Sequence, residues 1–111
     1  MPLYAGRESQ FTELVQTGIN GNDGDAATEA LDVSENTYIT FDVVKTGGTC
    51  ASAVFTPQCS LNGTKWYSMV DDKLTGEGRI DNIQSTPRYF RVKVTTAEGG
   101  SCTVTICIQG K

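Results

Sequence analysis

The residues of this chain whose types could do chemistry are an adjacent carboxylate pair, Asp71 and Asp72, four cysteines at positions 50, 59, 102 and 107, and the acidic run NGNDGDAATE that begins at Asn20. A glycosidase needs two carboxyl groups facing each other across a cleft, whereas neighbouring aspartates in VDDK read as a solvated turn. The chain has no histidine, so the commonest general base and the usual zinc ligand are both missing, and Ser-His and Cys-His nucleophile systems are excluded. The glycines of GGT and EGG precede strand-like runs, with neither a helix start nor a Lys-Ser/Thr pair to complete a phosphate cradle. These patterns predict no catalytic site, no enzyme activity and no cofactor.

The acidic run invites a calcium reading. Placing Gly24 at the sixth position of an EF-hand loop puts Ile19 first, Gly21 third and Ala30 last, and none of these supplies the side-chain oxygen required. A looser site at Asp23 and Asp25 competes with a plain acidic turn. The cysteines leave gaps of eight residues (Cys50 to Cys59) and four residues (Cys102 to Cys107), unlike the close knuckle pairs of zinc ribbons, so no metal site is predicted. The N-terminus MPLYAGRESQ shows neither a basic leader nor an apolar core of an export signal, which makes free, packed thiols the first expectation. Cys102 and Cys107 lie five residues apart on one extended run, roughly 16 Å, and cannot bond each other. A disulfide would join the Cys50 and Cys59 region to the last strand, or those two across a bend.

The 111 residues fit one domain. Nine basic against thirteen acidic residues give a formal charge of -4, which argues against a nucleic-acid surface. No window approaches the eighteen apolar residues of a membrane span, so no membrane partner is expected.

Positioning falls to strands. In TYITFDVV, Ile39, Phe41 and Val43 share one face while Tyr38, Thr40 and Asp42 share the other. In RYFRVKVTT, Phe90, Val92 and Val94 alternate with Arg91, Lys93 and Thr95. In SCTVTICIQ, Cys102, Val104, Ile106 and Ile108 face the core and Cys107 faces outward. Asn62-Gly63 reads as a type I′ hairpin turn leading into TKWYSMV, with Trp66 as a core plug. Pro57 marks an edge position or a bulge. The predicted core is Phe41, Trp66, Phe90, Val92, Val104 and Ile106. Tyr67 and Tyr89 fall on the opposite faces, as exposed contact aromatics. Short strands at intervals of roughly ten residues predict an all-β antiparallel sandwich, Ig-like or jelly-roll-like, of about seven or eight strands. Residues 1–36 read as an N-terminal arm with one or two strands, FTELVQT and TEALDVS, around a glycine-rich stretch too polar to pack, and residues 37–111 as the sandwich.

The order TFDVV, AVFTPQCSLNGTKWYSM, a polar loop and TPRYFRVKVTTAEGGSCTVTICIQG resembles small β-sandwich virion proteins of tailed bacteriophages, of the head decoration or cement type. Ser60, Asn62, Gly63, Thr64 and Trp66 match a Ser-x-(Asn/Asp)-Gly-Thr-x-Trp element, and Arg88, Tyr89, Phe90, Arg91 and Val92 match an Arg-(Tyr/Phe)-(Phe/Val)-Arg-Val strand. The resemblance covers about two-thirds of the chain and omits the segment before Thr37. It implies a protein made in the host cytoplasm that decorates the outer capsid surface of the virion, with the major capsid protein as partner, commonly as a trimer. On that reading the N-terminal segment docks through Tyr4, Phe11, Leu14 and Val15. The rival within the same resemblance is a tail or fibre protein whose sandwich binds a receptor or glycan.

Overall fold

A computed structural model of the chain describes residues 12–84 and 88–111. Nine strands occur among them: β1 (Thr12–Asn20), β2 (Leu31–Asp32), β3 (Tyr38–Gly48), β4 (Val54–Ser60), β5 (Tyr67–Ser68), β6 (Leu74–Thr75), β7 (Gly78–Gln84), β8 (Tyr89–Thr96) and β9 (Cys102–Gly110), with one 3-10 turn, Val70–Asp72. They form two antiparallel sheets, ordered β1-β9-β3-β7 and β2-β8-β4-β5, with β6 also pairing β4. The chain crosses between sheets at almost every connection, and β5 with β6 together make one broken edge strand. That order is a jelly roll, two Greek keys closed face to face.

Alternation fills the space between the sheets. Ile39 and Phe41 of β3, Phe55 of β4, Phe90, Val92 and Val94 of β8, and Val104, Ile106 and Ile108 of β9 are all fully buried. β9 runs centrally in its sheet, paired to β1 on one side and β3 on the other, so its inward row anchors three strands.

The segment expected to stand apart as an arm joins the sandwich over its described part. β1 pairs with β9 from Thr12 opposite Gly110 to Asn20 opposite Thr103. Residues 26–33 run along β8, with Thr28 N–H donating to the Val92 carbonyl (2.9 Å), Val94 N–H to the Ala26 carbonyl (2.9 Å) and Val33 N–H to the Arg88 carbonyl (2.7 Å). The glycine-rich stretch packs because the backbone of its neighbours satisfies its polar groups: Gly21 N–H donates to the Cys102 carbonyl at 2.8 Å. Asp23 spends a carboxylate oxygen on the N–H of Asp25 at 2.9 Å, an Asx turn. No cluster of three or more metal-ligating side chains occurs among the described residues.

Pro57 lies in β4, which has partners on both sides, so its position is not a sheet edge. Its carbonyl accepts from Met69 N–H (2.8 Å) on the β5 side, where the edge strand has ended at Ser68 and the 3-10 turn is about to begin. The missing proline N–H therefore costs little pairing.

Cys50 and Cys102 form a disulfide, which overturns the expectation of four free thiols; Cys59 and Cys107 remain free. It ties the start of the β3–β4 loop to the start of β9 across 52 residues of sequence. A Cβ on Gly21 would lie 2.3 Å from the Cys102 sulfur, so only glycine lets the β1 end close over the bridge. Closing a loop of about 50 residues in the unfolded chain is worth about 4 kcal/mol in the chain-entropy model. Urea unfolding with and without reductant should show a loss of about 2–4 kcal/mol on reduction, with the Cys59→Ser variant behaving like the parent. An unchanged midpoint would contradict a stabilising bridge.

Candidate binding face

The outer surface of the β2-β8-β4-β5 sheet gathers most of the aromatic and cationic side chains singled out in the sequence. On β8 the inward residues alternate with Tyr89, Arg91 and Lys93, each half-buried on the outer side. β4 presents Thr56, Gln58 and Ser60 to the same side, opposite Lys93, Arg91 and Tyr89. These three polar residues are nonetheless buried, at 3%, 8% and 1% exposure, because larger side chains lie flat over them.

Trp66, expected in the core, is part of that cover. It is half-buried, and the Arg91 guanidinium sits over its ring, 4.3 Å from the centroid. The core already holds Phe41, Phe55 and Phe90. The register of β5 against β4, Ser68 opposite Gln58 and Tyr67 opposite Cys59, carries Trp66 to the outer side with Ser68. Tyr67 lies 59% exposed at the sandwich rim, beyond the reach of the core.

The loop before Trp66 is not a two-residue type I′ hairpin. Gly63 has φ +80°, but Asn62 is not among the residues with positive φ. Side chains build the turn instead. Ser60 Oγ accepts from the N–H groups of Asn62 (3.3 Å) and Gly63 (2.9 Å), and Asn62 Oδ1 accepts from Thr64 N–H (2.9 Å), Thr64 Oγ (2.9 Å) and Lys65 N–H (3.0 Å). Gly63 lies flat against Tyr89, whose ring carbon would be 3.5 Å from any Cβ there. The spacing Ser-x-Asn-Gly-Thr-x-Trp is thus a self-bonded loop that delivers Trp66 to Arg91.

Electrostatics complete the face. Arg91 Nε donates to Gln58 Oε1 at 2.8 Å, and Gln58 Nε2 donates to Ser68 Oγ at 3.1 Å. Burial lowers the pKa of Arg91 from its ordinary value. Arg88 covers the Tyr89 ring at 5.1 Å and pairs with Asp32 at 3.1 Å, and Lys65 stands 5.9 Å from the Tyr67 ring.

The opposite sheet offers a different surface. Thr40, Asp42, Arg79, Cys107 and Gln109 line a polar recess of about 210 Å³. Burial first, then the carboxylates of Asp42 and Glu13, pushes the Cys107 thiol up, which makes it a poor nucleophile. Val15, at 56% exposure, lies on this side opposite Cys107, while Leu14 turns inward and packs against the core, so it is not a free anchor. Tyr4 and Phe11 lie outside the described residues.

No family model and no curated protein sequence matches the chain. Solved structures share its fold. The PBSX exported protein XepA superposes with TM-score 0.55 at 10% identity over 87% of this chain, which spans only 36% of XepA. The SPBc2 prophage-derived protein YomS gives 0.53 at 10% identity over 90% of this chain and 95% of its own. Chitosan-binding module 1 of a chitosanase/glucanase from Paenibacillus sp. IK-5 gives 0.53 at 17% identity over 87% of this chain and 76% of its own. The chain is an antiparallel β-sandwich of a fold found in phage-derived proteins and in a carbohydrate-binding module. At these identities the likeness is one of fold.

Removing the Asn62 carboxamide leaves four donors, Ser60 Oγ, Thr64 N–H, Thr64 Oγ and Lys65 N–H, without their acceptor in a loop that water reaches. Asn62→Ala should cost about 1 kcal/mol, read as a drop in Tm of about 4–8 °C. An unchanged Tm would show that the loop does not depend on this side chain.

Proposed function

We propose that this chain is a non-enzymatic virion protein of a tailed bacteriophage, a capsid decoration protein that binds the outer lattice and stabilises the head. The observation that carries the reading is the meeting of the two sequence elements behind the phage resemblance. Residues 60–66 and 88–92 are far apart in sequence, yet Trp66 stacks with Arg91 and Gly63 with Tyr89. A jelly-roll order also recurs among viral capsid and lectin domains, and the fold neighbours XepA and YomS are phage-derived.

Docking on this reading uses the β1 side. β1 is an edge strand whose outer flank pairs with no strand among the described residues, which leaves it open to strand addition by a capsid protein. Val15 supplies an exposed apolar contact there, with Tyr4 and Phe11 of the preceding sequence as further anchors. Many weak copies on a repeating shell act through avidity, and a homotrimer places three such edges on neighbouring capsid subunits. A second reading, a tail or fibre protein with a receptor- or glycan-binding sandwich, draws on the aromatic and basic face around Trp66.

Quantitative mass spectrometry of purified particles separates these. The decoration reading expects a copy number near that of the major capsid protein or a fixed large fraction of it. A handful of copies per particle would move the chain to the tail, and absence from particles would contradict both.

A further inference from the structure

The β2-β8-β4-β5 face carries a cation without a counter-ion. The ion pairs among the described residues are Arg79–Asp81 and Arg88–Asp32, so Arg91 has no carboxylate partner there. It is half-buried, fixed by Trp66 and by Gln58, and so partly stripped of water. Holding a cation out of water without an anion is unfavourable, and a guanidinium already fixed in orientation loses little freedom when an anion arrives.

Its surroundings narrow the chemistry. The chain carries a net charge of -4, yet this face collects Lys65, Arg88, Arg91 and Lys93, with Asp32 as the paired carboxylate. A locally positive patch on an acidic protein favours anionic partners. One Arg beside a Gln carboxamide suits a planar carboxylate better than a run of phosphodiesters, which calls for many clustered cations. Trp66 and Tyr89 add flat apolar surface on rigid side chains, of the kind on which the C–H face of a pyranose ring stacks, with Tyr67 exposed at the rim. Thr56, Gln58 and Ser60 are covered, so a ligand meets the aromatic and cationic side chains that lie over them along the sheet, an arrangement that suits an extended polymer.

We propose that this face, centred on Trp66 and on Arg91 as Gln58 holds it, binds a carboxylate-bearing polysaccharide. The assignment goes beyond the decoration reading and holds whether the chain sits on head or tail, since docking by β1 leaves the face open to the cell surface.

The test is native affinity electrophoresis of the full chain through gels containing alginate, dextran or inorganic polyphosphate. Alginate should retard the protein, less so at higher salt, and dextran should not. Arg91→Gln and Trp66→Ala should each weaken binding about tenfold or more. Lys65→Glu, at an exposed loop position that does not endanger folding, should weaken it too, and Asp42→Asn on the other sheet should leave it unchanged. No retardation by alginate, equal retardation by dextran, retardation by polyphosphate alone, or indifference to both Trp66→Ala and Lys65→Glu would each overturn the proposal. Alginate binding by a chain absent from particles would overturn the virion reading alone; presence on particles without alginate binding would overturn this one alone.

Discussion

Every strand of this protein must send alternate side chains into a gap that only two sheets can fill, and that period of two governs the rest. With Phe41, Phe55, Phe90 and the β-branched rows of β8 and β9 inside, the intervening positions are released from packing. Those positions differ sharply between the two sheets. One outer face carries Trp66, Tyr89, Arg91 and Lys93, and the other carries Glu13, Asp42, Arg79 and Cys107. A single sandwich thereby shows two surfaces of different character.

The long strands were legible because nothing competes with their alternation. β3, β8 and β9 each read correctly from sequence, inward row and outward row alike. In the N-terminal region FTELVQT and TEALDVS were legible as strands, but their docking into the sandwich was not, because their partners on β9 and β8 lie far along the chain. Thr28 finds the backbone of Val92, and Gly21 finds that of Cys102. Non-local hydrogen bonds leave no local pattern. Trp66 misled for a different reason: hydrophobicity argues for burial, but an indole can satisfy itself outside the core when a guanidinium shares the cost of leaving water. The Cys50–Cys102 pairing was confined by geometry to a few possibilities, and the expectation of a reducing compartment pulled the reading toward free thiols.

The bridge also bears on where the protein works. Structural disulfides persist in oxidising surroundings, virion and cell surfaces among them. A buried bridge closes the β3–β4 loop onto β9, with Gly21 fitted against it, and suits an oxidising environment.

On the proposed virion reading, the β1 edge faces the particle and the Trp66 face looks away. Oxidative footprinting of the chain, free and particle-bound, tests it directly. The account predicts protection of β1 around Val15 on binding, with Trp66 and Tyr89 oxidised as readily as in the free protein. Protection of Trp66 and Tyr89 with β1 unchanged would contradict it.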